Sequence, residues 1–338
     1  MKKKILVVAA LQLFLMLGAC SSDSGSDATT AEVKGEIKAD YLVDVVLTSD
    51  FVIGNDNVTY KISEGTNGIE LIKIDLEGNA ILLNTLDFLK FNSSRLTMSN
   101  DGAVLLVVMN NSGDSDKIFR FENNFLELNP FYTMKPISSP FAKKIGLNSI
   151  CNNNDNTYFV YDNNNKEIKR VIPSLSTDAF VAGSGKSEIK DGTGLDVGFG
   201  SVNQIISHDN VLYLIDNLNT GTVINSTIRK LEYVNNQWKV TTLISSTTDR
   251  YDEMAFDANN ELYVLVDRKG IFKLNLQDNA LTSFKEGGIK IGNKNSHISF
   301  DAGFCERMKI KGNDLYLISV NRLIKISDFQ TKFANAAK

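Results

Sequence analysis

The sequence predicts an all-β chain arranged as a six-bladed β-propeller, and three observations carry that expectation. Short apolar runs alternate with polar residues at period two, as half-buried strands do. Beyond the first 20 residues no long apolar stripe at helical spacing occurs. The strand-like runs recur in units of roughly 49 residues, long enough for one four-stranded antiparallel sheet each.

Each unit pairs two runs, the second holding a basic residue. Lys73, Arg120, Arg170, Lys230, Lys273 and Lys325 follow one another at spacings of 47, 50, 60, 43 and 52 residues. Tyr158, Tyr213, Tyr263 and Tyr316 recur in the first runs at a similar interval. Turns such as "DNNNKE", "DNLNTG" and "DANNE" separate the runs, and Asn, Asp and Gly tolerate the positive φ of tight hairpins. A pair of β-sandwiches or another blade count fits this period less well, although the first two units are the least regular. The run Tyr41 to Leu47 precedes the first full unit, and the last unit, ending near Phe333, lacks its outermost strand. Pairing that N-terminal run into the last blade closes the ring and covers two sheet edges. The propeller is thus expected over residues 40–333, with 334–338 as a C-terminal tail.

Residues 1–19 read as an export signal. Lys2, Lys3 and Lys4 precede an apolar run from Ile5 to Leu17, broken only by Gln12 and too short to cross ~30 Å of hydrocarbon comfortably. Leu17-Gly18-Ala19-Cys20 resembles the lipobox of bacterial lipoproteins, which implies acylation of Cys20 and anchoring to a membrane without a spanning helix. Residues 20–39 are rich in Ser, Asp, Gly and Thr, hold little to bury, and are expected to act as a flexible tether. The expected location is the bacterial cell envelope, as an exported lipoprotein at the outer membrane or cell surface.

The net charge is −4, from 36 basic and 40 acidic residues well mixed along the chain, so no basic patch points to nucleic acid. Besides Cys20, only Cys151 and Cys305 remain. One ends an inner strand in the third unit and the other begins one in the sixth. Across a ring their Cα atoms exceed the ~7 Å limit for a bridge, so two buried free thiols are expected.

The stretch "VAGSGKSEIKDGTGLDVGFG" tempts a nucleotide-binding reading and fails it. A P-loop ending at Gly185-Lys186-Ser187 needs its first glycine at Phe180 and a helix after Ser187, and neither is present. The dinucleotide fingerprint fails as well, because Gly192 and Gly194 are followed by Gly198 one place late. The same residues resemble an NHL repeat. Asp191, Gly192, Gly194, Phe199, Leu212, Tyr213, Asp216, Ile228, Arg229 and Lys230 stand on that family's positions. Val202 and Gln204 depart from its usual proline and glycine, and the full match covers residues 181–243. The resemblance implies a propeller and leaves the ligand open.

In this fold function sits where loops and inner-strand starts surround the central channel. Phe91, Phe141, Phe199, Tyr251 and Phe304 each lead into an expected inner strand, with polar residues behind them. Arg95, Lys144, Asn148, Asn203, Glu253 and Arg307 form the expected ligand-binding set at the channel mouth. The expected role is a binding module for a protein, glycan or cell-envelope component, with no cofactor. The alternative is a hydrolase or lactonase, as some six-bladed propellers are, with Asn148, Asn203 and Glu253 holding Ca²⁺ or Mg²⁺. No catalytic residue is assigned. His208 is expected in a surface turn beside Asp209, which cannot align as a triad, and His297 is expected just before the last inner strand in a structural role. Trp238 is expected to pack at an outer edge.

Overall fold

The computed structural model describes residues 37–336, apart from 46–47, 66–67, 87–92, 110–114, 123–126, 136–142, 222–223, 286–287, 293–295 and 301–304. The signal segment, Cys20, most of the expected tether, and Phe91, Phe141 and Phe304 lie outside the described residues.

Six sheets follow one another along the chain, antiparallel but for one parallel pair in the sixth. Their innermost strands are Thr48–Ile53, Ser93–Met98, Leu147–Asn152, Ser201–His208, Tyr251–Phe256 and Cys305–Lys311. Each lies beside the next, and the sixth lies beside the first, so the ring is closed. This is the six-bladed propeller that the repeat predicts.

A blade is covered on both faces, so its strands need apolar residues on both sides of the pleat. Val104 to Val108 in blade 2 shows the consequence. All five are buried; Val104, Leu106 and Val108 pack on blade 1, whereas Leu105 and Val107 pack on blade 3. Among the described residues, six apolar clusters fill the six junctions between neighbouring blades. Each fully buried aliphatic or aromatic side chain contributes about 1.5–3 kcal/mol to that packing.

The turns follow their residues. Asn235 and Asn236, at φ 51° and 62°, form the two-residue turn of the long hairpin in blade 4, a conformation asparagine tolerates. Four of the six periodic basic residues share a job, whereas Lys230 pairs with Glu232 on its own strand at 3.0 Å. Arg120 pairs with Asp101 at 2.7 Å, Lys273 with Glu261 at 2.5 Å, Lys325 with Asp314 at 2.6 Å, and Arg170 with Asp155. In each case a third-strand cation reaches the acidic residue at the turn between the first two strands, tying three strands together. Opposite these cations stand Tyr263 and Tyr316, with Phe159, not Tyr158, in the corresponding place of blade 3.

Blade 6 is closed by the N-terminal strand, as expected, but over Ile37–Asp44, earlier than the predicted run. It pairs antiparallel with Arg322–Ile326 on one side and parallel with Gly288–Ile291 on the other. The latter belongs to a hairpin that ends in Ser296–Ser299, so His297 lies on the outermost strand of a six-stranded sheet, farthest from the inner strand it was expected to precede. Its side chain is not among those described. The chain ends in a helix, Phe329–Ala336, where sequence periodicity predicts only strand and tail. Phe329 and Phe333, one turn apart, bury against Tyr263 and Phe284, and that packing supports a helix too short to persist alone.

Candidate functional site

Five of the six inner strands carry a register shift near their start, at Ser49, Asn148, Asn203, Asp252 and Glu306. A bulge leaves one residue out of the ladder and re-aims the side chains around it. Here the freed carbonyls become acceptors. Ser49 O accepts from Arg95 Nη1 at 3.3 Å and from Arg307 Nε at 2.8 Å. Asn203 O accepts from Arg95 Nε at 3.0 Å.

Around these carbonyls runs a belt of charge that laces the inner strands together. Lys309 Nζ lies 3.3 Å from Asp50 Oδ1 and 3.4 Å from Glu253 Oε2, and Arg307 Nε lies 3.5 Å from Glu253 Oε1. Gln204 Nε2 donates to Glu253 Oε2 at 2.5 Å, while Gln204 Oε1 accepts from Met254 N at 2.7 Å. Asp50 accepts from the Phe51 and Leu96 amides, each at 2.9 Å. Asn148 Nδ2 donates to Val202 O at 3.3 Å. Every inner strand therefore has a belt contact to another.

Both belt carboxylates are buried, Glu253 at 0 % exposure and Asp50 at 1 %. Burial pushes the Asp50 carboxyl up, but the charges of Lys309, Arg95 and Arg307 and the Leu96 amide outweigh it, so it titrates below the ordinary aspartate value. Burial likewise lowers Arg95, and the neighbouring Arg307 charge adds to that. Asp252 is raised by burial despite its bond to Arg250.

Beyond the belt, toward the turns between first and second strands, the channel holds a cavity of about 330 Å³. Asp50, Arg95 and Lys309 contribute to its lining, with Thr97, Ser149, Asn152 and Ser207 as polar wall residues and Ile206, Phe256 and Ile310 as apolar ones. His208 does not line it; its ring stacks on Phe256 at 3.9 Å, where a plain surface turn is expected from sequence.

Of the residues expected at the mouth, Arg95, Glu253 and Arg307 meet in the belt, and Asn203 joins through its carbonyl. Asn148 reaches the neighbouring blade through its amide, and Lys144 lies exposed in the loop ahead of the third inner strand, outside the belt. Asp50, Gln204 and Lys309 complete the arrangement and are not in the predicted set. The donor set Asn148, Asn203 and Glu253 does not fit a divalent cation, because an ammonium, a guanidinium and an amide already surround the Glu253 carboxylate. Among the described residues no group of three His, Cys, Asp or Glu side chains converges on a metal-sized site.

The remaining expectations are placed as follows. Cys151 and Cys305 are free and buried. Trp238 sits on the outer strand Gln237–Ser246 and packs edge-on to Phe159 at 5.4 Å. Gly192 and Thr193 pair with that strand, and after Ser187 comes only a three-residue 3-10 turn at Gly194–Asp196, not the α-helix a phosphate loop requires. No helix among the described residues is long and apolar enough to cross a membrane.

No protein-family model matches the chain, and no curated protein sequence matches it. Solved structures share the fold. An auxiliary nutrient binding protein from Bacteroides thetaiotaomicron is 11 % identical, with a TM-score of 0.59 over 84 % of this chain and 69 % of that one. A gluconolactonase from Xanthomonas campestris is 10 % identical, with a TM-score of 0.57 over 84 % and 86 %. A catalytically inactive virginiamycin B lyase from Staphylococcus aureus, with quinupristin, is 13 % identical, with a TM-score of 0.52 over 82 % and 79 %. At these identities the likeness is one of fold, shared by proteins that bind and proteins that catalyse.

Proposed function

We propose that the protein is a binding propeller, exported and held to a bacterial membrane through acylated Cys20, and not a metal-dependent hydrolase. One observation carries the choice: both buried carboxylates of the channel are engaged by the chain's own Lys309, Arg307 and Gln204. A general base needs an accessible lone pair within reach of substrate, and a divalent cation needs several oxygen donors not already neutralised. The belt supplies neither. The fold is shared by a nutrient binding protein and by a gluconolactonase, so the choice rests on the belt.

The NHL-like reading of blade 4 draws support from its motif residues acting as one unit. Asp216 Oδ1 accepts from the Gly200 and Ser201 amides, and Arg229 bridges Asp216, Gly198 O, Lys190 O and Asp191. Export and anchoring rest on the basic start, the short apolar run and the Leu17–Cys20 tetrapeptide.

The test is thermal unfolding with Ca²⁺, with Mg²⁺ and with EDTA, beside an assay of lactone hydrolysis. Unchanged melting and no turnover are expected; a metal-dependent shift, lost in Glu253→Ala, restores the hydrolase reading. For the anchor, palmitate labelling and membrane fractionation are expected to fail together in Cys20→Ala.

A further inference from the structure

We infer that the channel cavity binds a small hydroxylated carboxylate, a monoanion of hexuronate size, and this rests on reading the chain as a binding module. The charge comes first. The belt sets Arg95, Arg307 and Lys309 against Asp50 and Glu253, and both carboxylates are already buried. Asp252 lies beside them, shared between Arg250 at 2.8 Å and the charges of Arg95 and Arg307, and does not line the cavity. Two of the three cations, Arg95 and Lys309, line the cavity.

Their geometry is fixed in advance. Arg95 is held through Nε and Nη1 on two backbone carbonyls, leaving Nη2 with no hydrogen bond among the described residues. Lys309 uses two of its three N–H groups on carboxylates. Cations anchored this way lose little entropy when an anion arrives. Open N–H donors on two anchored cations, with the Asp50 carboxylate beside them, suit one carboxylate better than a phosphate dianion or a cation.

Hydroxyls are required by a different atom. Asn152 donates through Nδ2 to Asn100 Oδ1, but its own Oδ1 is buried without a partner among the described residues. An orphaned acceptor costs about 1–3 kcal/mol, and a carboxylate carries no proton to satisfy it, whereas a ligand hydroxyl does. Thr97, Ser149 and Ser207 add hydroxyls to the same wall, and the apolar lining suits the C–H faces of a sugar ring. The cavity of about 330 Å³ lies at the small end of the ~300–1,000 Å³ range of ligand pockets.

The test titrates the purified full chain with D-glucuronate, D-galacturonate and D-mannuronate. Each is set beside its methyl ester and its parent hexose, with inorganic phosphate as competitor and saturation-transfer NMR as readout. At least one uronate is expected to bind, with its ester and hexose weaker by about tenfold or more, about 1.4 kcal/mol. Lys309→Met and Arg95→Gln are expected to abolish the preference for the acid. If either fails to fold, Asn152→Asp, nearly isosteric but anionic, and Thr97→Val are each expected to weaken binding, with a retained cooperative melting transition showing that the variant is folded. The inference is overturned if no uronate binds, if acid and ester bind alike, if phosphate competes equally, or if Asn152→Asp binds as the wild type does. Consumption of a bound uronate or ester over hours would instead overturn the non-catalytic reading and leave the site standing.

Discussion

Arg229 and Asp216 meet at 2.8 Å with neither side chain exposed to solvent. Asp216 also caps two amides at the start of its inner strand, and Arg229 gathers the carbonyls of the preceding glycine loop. The pair thus pins the blade 3–4 connection onto blade 4. Removing one partner of such a pair leaves a buried charge and typically costs about 3–5 kcal/mol. Asp216→Ala and Arg229→Ala are each expected to destabilise by that order in urea unfolding. Their double mutant should cost clearly less than the sum of the two; full additivity would mean the two side chains act independently.

The N-terminal strand Ile37–Asp44 is hydrogen-bonded on both sides, and Ile37 and Ala39 are buried in the junction of blades 5 and 6. Deleting residues 37–44 would expose the edges of Arg322–Ile326 and Gly288–Ile291 together. The expected outcome is loss of the cooperative melting transition and aggregation. Deleting residues 21–34, by contrast, is expected to leave the melting temperature unchanged, and a large fall there would mean that the tether packs on the domain.

The blades were legible because each repeats the same physical task. Lys73 to Lys325 recur because a third-strand cation meets an acidic residue at the turn in most blades, and strands buried on both faces need apolar runs such as Val104 to Val108. Arg95, Glu253 and Arg307 were legible by residue type and place. Asp50 and Lys309 were not, because which residues face the channel is set by bulges at Ser49 and Glu306 that leave no mark in composition. A one-residue register shift moves a side chain to the other face of the pleat. For the same reason Asn148 and Asn203, expected at the mouth by residue type and place, lie at bulges and make contacts to neighbouring strands. The hairpin Gly288–Ser299 and the helix Phe329–Ala336 escaped for another reason: both are held by tertiary packing that no local pattern announces.

Burial pushes the thiols of Cys151 and Cys305 up to about 12. Reactivity follows thiolate fraction and access, so neither should react readily in the folded state. In a Cys20→Ala chain at pH 8, a thiol reagent is expected to label neither cysteine on the timescale on which it labels both in guanidinium. Rapid labelling of either one in the native protein would show that its blade junction opens locally.

Lys309 tests the belt directly. Asp50 titrates below the ordinary 3.8, so its ionised form contributes stability above that pH, and the contribution is lost as pH falls through the depressed value. Lys309→Met removes the cation between Asp50 and Glu253 and leaves two buried carboxylates with less compensation. Near pH 7 the variant is expected to be less stable by about 3–5 kcal/mol. With the ammonium gone the Asp50 carboxyl takes up its proton at higher pH than in the wild type, so acidification toward pH 4 relieves the variant before it weakens the native belt. The gap between variant and wild type in urea unfolding should therefore narrow between pH 7 and pH 4. A gap that stays constant across that window would mean that Lys309 does not act by compensating these carboxylates, and would turn attention to its ammonium over the Phe51 ring, 5.9 Å from the centroid.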